Sequence, residues 1–347
     1  MTSDTEGALE PTAAMADSIS AMVAEGLDPD MAAALVKGTE LAEAAGAVPG
    51  EPYDLAVDRR ISEAAAPFWA EGAPDVEDVL PMTLPGADGL LEARLYKPNV
   101  PGPAPIVLFL HGGGWVKGSV AACEWACRQI AARSGLNVLA TSYRLAPEHP
   151  FPAARDDVDA VLDWCMGPSA RAGLDHRRVL VAGASAGANL AVSACLARRD
   201  REAALPLGMA LFYGVFGIDP ETESHRAFGD GRFGLPHALM ETFIEMYAPG
   251  GRHTDPGIDV VHADLAGLPP AWLSAAGKDV LRDDAHLMAK ALETAGVAAR
   301  LRVDESLAHG YTNRARMVPL ARAAIDEAAD FLHDQSRQAS RLAAYAL

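Results

Sequence analysis

The chain has 347 residues, 50% of them hydrophobic, enough for one large domain with insertions or for two domains. Lys and Arg number 29 against 47 Asp and Glu, and the net charge of −18 disfavours nucleic acid or an anionic membrane as partner. No apolar run is long enough to span a bilayer, and the acidic start "MTSDTEGALEPTAAMADS" lacks the features of a signal peptide, so a cytoplasmic location is expected.

Residues 12–47 are rich in Ala, Met and Leu, with Met15, Ile19, Met22 and Val23 at helical spacing. A second helix is expected from Pro29 to Ala45, and a third over "DRRISEAAAPFWAEG". Residues 1–75 thus read as a helical segment that precedes any sheet. The strands "VEDVLPMTL" and "LEARLYKP" then look like an antiparallel pair joined at Gly86-Ala87-Asp88-Gly89. From residue 105 the pattern changes to apolar strands alternating with helices. "PIVLFLHGG", a helix over 121–134 and "NVLATSYR" come first. The helix "ARDDVDAVLDWCM", the strand "RVLVAG", a helix over 186–199 and the strand "LGMALFYGVF" follow. Such alternation implies an α/β fold, a mostly parallel sheet with helices on both faces. It stalls between about 219 and 262, where Gly, Pro and His surround one helix, "LPHALMETFIEMYA". It resumes with "AWLSAAG", a helix over 283–295, "AARLRVDE" and a final helix over 319–336. The sheet domain is therefore expected over 76–218 and 253–347, interrupted by an insertion at 219–252. No repeat or low-complexity segment occurs.

The four cysteines, Cys123, Cys127, Cys165 and Cys195, read as small buried thiols. Cys123 and Cys127 share a helix face, but no CxxC or HExxH accompanies them, so neither a metal nor another cofactor is expected.

Chemistry enters at "RRVLVAGASAGANLAVSACLARR", residues 177–199. An apolar strand ends on Ser185, flanked by Gly183-Ala184 and Ala186-Gly187, and a helix starts at once. A reversal that sharp needs small neighbours and leaves the hydroxyl beside a helix N-terminus, as in a nucleophile elbow. By itself the pentapeptide also describes a tight turn with a capping serine. A serine nucleophile needs a base and a group that orients the base, and in this sheet type they follow in the order Ser, acid, His. Of the later histidines, His286 and His333 fall inside helices and read as surface residues. His309 lies in "ESLAHGYTN" after a strand, where such sheets place active-site groups, and is the candidate base. Asp279, just past the strand 271–276, is the candidate acid and Asp304 the runner-up. Asp283 and Asp284 read as charges capping the next helix. "LFLHGGGWVKG" supplies bare backbone N–H groups after a strand, as an oxyanion hole requires, with the Ala186 N–H completing it. A phosphate-binding loop is the alternative, but no G-x-x-x-x-G-K-[ST] is present.

With "HGGGW" (111–115), "YRLAPEHPFPAA" (143–154), "GASAGAN" (183–189), "DVLRDDA" (279–285) and "HGY" (309–311), the chain resembles the bacterial hormone-sensitive-lipase-like, or family IV, carboxylesterases of the α/β-hydrolase fold. The resemblance runs from about residue 76 to the end. It implies Ser185, Asp279 and His309 as the triad and Gly113, Gly114 and Ala186 as oxyanion donors. It also implies a cap built from the N-terminal helices and the 219–252 insertion. Trp115 and Tyr311 are expected at the substrate, Tyr311 adding a hydroxyl near the acyl pocket where the family frequently has Phe. Arg144 and Glu148 are expected to hold the shape of the loop under the oxyanion strand. Ala184 and "DVLRDDA" depart from the commoner family residues but leave the triad intact. The expected reaction is hydrolysis of a small apolar ester, with homo-oligomerisation left open. Acyl transfer, amide hydrolysis or deacetylation of a specific metabolite would use the same triad. A non-catalytic ligand-binding module on this fold would typically lack one of the three residues.

Overall fold

A computed structural model of the chain describes residues 13–167 and 173–345. Three helices come first: α1 (Ala13–Ala24), α2 (Pro29–Ala44) and α3 (Leu55–Ala70). Asp28 caps α2 by accepting the Met31 N–H, and Asp54 caps α3 through the N–H groups of Ala56 and Val57. Next are β1 (Asp78–Pro85) and β2 (Leu90–Lys97), an antiparallel hairpin in which Pro85 faces Leu90. The alternating part runs β3 (Ala104–Leu110), α4 (Glu124–Ser134), β4 (Asn137–Thr141), α5 (Ala153–Met166), β5 (Leu174–Ala184), α6 (Ala186–Asp200) and β6 (Met209–Phe212). The insertion carries α7 (Glu223–Phe228) and α8 (His237–Tyr247); β7 (Ala271–Lys278), α9 (Arg282–Thr294), β8 (Ala299–Ala308) and α10 (Pro319–Tyr345) complete the chain.

One eight-stranded sheet results, in the order β1-β2-β4-β3-β5-β6-β7-β8. Strands β1, β2 and β4 pair antiparallel in turn, whereas β4 through β8 run parallel. Strands β3 and β6 are apolar and buried at every position because both faces are covered. In β3, Ile106, Leu108 and Leu110 point to a core shared with α5, α6 and α9, while Val107 and Phe109 point to one shared with α4 and α10. The second core also takes in Met31, Ala32 and Ala34 of α2, all fully buried. A helix expected outside the sheet domain is thus part of its packing.

Several boundaries differ from those expected. Strand β4 stops at Thr141 because the chain turns away: the Tyr143 hydroxyl donates to the His111 carbonyl and the Arg144 N–H to Asp157. Strand β6 stops at Phe212 because Tyr213 adopts a left-handed φ of 35°. Strand β8 extends to Ala308, which puts His309 directly at its end rather than within a longer loop. The insertion holds a second short helix, α7, whose six residues are too few to show a helical apolar period.

Candidate active site

Ser185 joins β5 to α6 with φ 54° and ψ −121°, backbone angles that L-residues rarely adopt, and its N–H is anchored on the Phe212 carbonyl. The flanking glycines are demanded by contact. A Cβ on Gly183 would lie 2.3 Å from the Gly187 carbonyl oxygen, and one on Gly187 would lie 2.2 Å from that of Leu110. The strand, the turn and the neighbouring strand β3 therefore touch backbone to backbone, and the hydroxyl is the part left to project.

Asp279 and His309 follow the carboxyl ends of β7 and β8, which are adjacent in the sheet. The His309 Nδ1–H donates to Asp279 Oδ2 at 2.7 Å, and His309 Nε2 lies 3.0 Å from Ser185 Oγ. With the proton on Nδ1, Nε2 presents its lone pair to the serine hydroxyl, as a general base requires. The other oxygen of Asp279 accepts the Leu281 N–H at 3.0 Å, so the buried carboxylate cannot swing away from the imidazole. Tyr213 packs edge-on to His309 with ring centroids 4.9 Å apart and ties its hydroxyl to Thr312. The sequence offered no periodicity or motif that would have picked it out.

The segment after β3 crosses the serine: a Cβ on Gly112 would come within 3.2 Å of Ser185 Cβ. Gly113 (φ 125°) and Gly114 (φ 59°) hold left-handed backbone, and added Cβ atoms would strike the Lys117 carbonyl oxygen at 2.2 Å and the Phe243 ring at 2.1 Å. Side chains are excluded on both counts. His111 supports the turn from beneath, donating from Nδ1 to the Gly112 carbonyl and stacking on Tyr143 at 4.3 Å. Burial pushes its imidazole down to about 4, so it is a neutral structural group. Ala186 opens α6, where the first N–H groups have no intrahelical acceptor.

Other expectations fare differently. Trp115 is fully buried and stacked on Tyr247 at 4.5 Å, so its ring fills the core instead of facing a substrate. Tyr311 is equally buried, its hydroxyl bonded to Ser274 of β7, and it adds nothing polar to an acyl pocket. Asp304 is engaged bidentately by Arg302 and takes no part in the His309 contact. Asp283 and Asp284 lie in the first turn of α9 as expected but make no cap hydrogen bond there: Asp283 accepts the Ser224 N–H of α7, and Asp284 accepts the N–H groups of Phe216 and Gly217. His286 is exposed, whereas His333 is half-buried and bonded to the Ser134 carbonyl. Arg144 grips Asp157 and the Ala153 carbonyl, while Glu148 pairs with Arg59 of α3. Cys123 and Cys127 are buried free thiols, the Cys127 thiol donating to the Cys123 sulfur at 3.7 Å.

The arrangement of a serine elbow, an adjacent strand-end acid and histidine, and a glycine turn across the serine is matched by known proteins. A family described as alpha/beta hydrolase fold matches residues 107–313. The chain belongs to the bacterial hormone-sensitive-lipase-like, family IV, carboxylesterases. It is a carboxylic ester hydrolase on the α/β-hydrolase fold. The chain is 37% identical over 244 residues to the carboxylic ester hydrolase LipN of Mycobacterium tuberculosis, a match spanning 68% of this chain and 65% of that one. It is 33% identical to an ethyl acetate hydrolase of Pseudomonas putida, over 82% of this chain and 92% of that one. Among solved structures, an esterase of Pyrobaculum calidifontis superposes with a TM-score of 0.78 at 30% identity, covering 85% of this chain and 98% of its own. No helix among the described residues is long and apolar enough to cross a membrane.

Proposed function

We propose that this family IV esterase hydrolyses short-chain, small apolar esters through a covalent acyl-enzyme on Ser185. The observation that carries the reading is His309 bridging Ser185 Oγ and Asp279, at 3.0 and 2.7 Å. His309 Nε2 takes the hydroxyl proton as Oγ bonds to the ester carbonyl carbon, and the carbonyl π-electrons move onto oxygen. Gly113, Gly114 and Ala186 donate N–H groups to that oxyanion. The tetrahedral adduct collapses, the C–O bond to the alcohol breaks, and His309 returns the proton to the leaving oxygen. Water, deprotonated by the same imidazole, then releases the acid and regenerates the hydroxyl. Asp279 holds the Nδ1–H tautomer and stabilises the imidazolium without itself accepting the proton.

The size preference rests on a cap formed by the N-terminal helices α1 to α3 and the insertion 219–252, residues 1–12 of the expected segment lying outside the described residues. Contacts between these segments support it: Glu25 pairs with Arg232 at 2.8 Å, and Tyr53 packs on Phe243 at 5.9 Å. Phe243 in turn lies over Gly114 of the oxyanion turn. The relative named ethyl acetate hydrolase is consistent with a small acyl pocket. Four buried free thiols favour a reducing, cytoplasmic setting.

Ser185→Ala and His309→Ala should fold normally and lose roughly 10⁴-fold or more in kcat. Asp279→Asn should lose somewhat less, and Asp304→Asn little. Steady-state kinetics on a short nitrophenyl ester check this. A Ser185→Ala enzyme with a tenth of wild-type turnover, or a crippled Asp304→Asn beside an active Asp279→Asn, would overturn the assignment.

A further inference from the structure

The oxyanion turn does not hold its shape alone. Within it, the Val116 and Lys117 N–H groups both donate to the Gly113 carbonyl, each at 3.1 Å. The outer side of the turn is then gripped by α3, from the N-terminal segment. Arg59 Nε donates to the Val116 carbonyl at 2.8 Å, and one terminal nitrogen donates to the Ala146 carbonyl at 2.9 Å. Both terminal nitrogens also engage Glu148, at 2.7 and 2.8 Å. Its neighbour Asp58 accepts from Lys117 Nζ at 2.7 Å. The Lys117 ammonium lies over the Phe243 ring, 5.9 Å from its centroid, and that ring covers Gly114.

We propose that Arg59 is a positioning residue for the oxyanion turn, so that docking of α3 completes the hole as well as covering the site. The proposal rests on the assignment of Gly113 and Gly114 as oxyanion donors. Its physical basis is the planar guanidinium, whose fixed fork reaches two carbonyls and a carboxylate at once; an ammonium is a point donor and cannot span them. The Val116 carbonyl is three residues from Gly113 and within the same hydrogen-bonded turn. Loosening it lets the Gly113 and Gly114 N–H groups drift from the position the oxyanion will occupy. Because the donors act on the transition state, the effect belongs in kcat and not in ground-state binding. Glu148 raises the precision of the grip by fixing the guanidinium from the far side, and Arg59 in return holds the Glu148 carboxyl down at about 2.

The test compares Arg59→Ala, Arg59→Lys and Glu148→Gln with wild type and with Gly113→Ala, using a short nitrophenyl ester. A trifluoromethyl ketone, whose serine adduct places an oxyanion in the hole, serves as the transition-state probe. Arg59→Ala should lose about 10–100-fold in kcat with KM within about threefold, and the ketone Ki should rise by a similar factor. Low guanidinium, well below unfolding concentrations, should restore part of the Arg59→Ala turnover where equal sodium chloride does not. Arg59→Lys should resemble Arg59→Ala. Glu148→Gln, which keeps both carbonyl bonds, should lose only a few-fold, and these two variants carry the test if Arg59→Ala does not fold. Wild-type kcat and Ki in the Arg59 variants, or a rise in KM alone, would overturn the proposal. If Gly113→Ala also kept kcat and Ki, the oxyanion assignment would fall with it; if only that variant lost them, the clamp alone would fall.

Discussion

Two buried carboxylates with different partners sit five residues apart in sequence, Asp279 and Asp284. Asp279 accepts the His309 and Leu281 N–H groups. Asp284 also accepts two N–H groups, yet burial outweighs them and, with the charges of Asp279 and Asp283 nearby, pushes its carboxyl up to about 7. In the unfolded chain it ionises near ~3.9, so the folded state binds the extra proton between ~4 and 7. The stability linked to that proton is full below the unfolded value and is lost as pH rises through 7. Asp284→Asn has no such proton. Its Tm relative to wild type should therefore rise between about pH 4.5 and about pH 7.5, and then level off. A Tm difference that stays constant across that range would mean that Asp284 titrates like an exposed carboxylate.

At the scale of elements, the legible and the illegible parts differ in physical kind. Strands β3, β5 and β7 were readable because burial on both faces leaves predominantly apolar runs over 104–110, 179–184 and 271–276. The elbow and the oxyanion turn were readable because close backbone approach admits only glycine or alanine there. Trp115 and Tyr311 were misread because sequence neighbourhood to a motif says nothing about which way a side chain points. Arg59 was invisible for a related reason: its partners lie 57, 87 and 89 residues away. The helices of the N-terminal segment also divide. Met31 in α2 is fully buried, worth roughly 1.5–3 kcal/mol, so α2 belongs to the core. Among its described residues helix α1 contributes half-buried apolar side chains, Met15, Ile19, Met22 and Val23. Removing residues 1–24 keeps the Asp28 cap and the Arg59 clamp while taking away that stripe. The truncated protein should fold, lose kcat/KM on acetyl to hexanoyl esters and discriminate less against longer chains. Equal activity with an unchanged acyl profile across a nitrophenyl ester series would show that α1 is packing and not cap.

For the whole molecule, the eight-stranded sheet brings residues from three distant parts of the chain to one edge. Ser185 follows β5, Asp279 follows β7 and His309 follows β8, all at carboxyl ends. That convergence is a property of parallel strands, whose carboxyl ends all lie on the same side. The fold class and the three residues were legible together because each strand end carried its own local signature. The cap was legible only as leftover apolar helix. The account stands most directly on Ser185 being the one serine activated to a nucleophile. Intact-mass analysis after treatment with a fluorophosphonate, followed by peptide mapping, measures this. The account predicts one phosphonyl group per chain, located on Ser185, with activity lost in step and no labelling of Ser185→Ala. Labelling at another serine that tracks the loss of activity, or full labelling of Ser185→Ala, would contradict it.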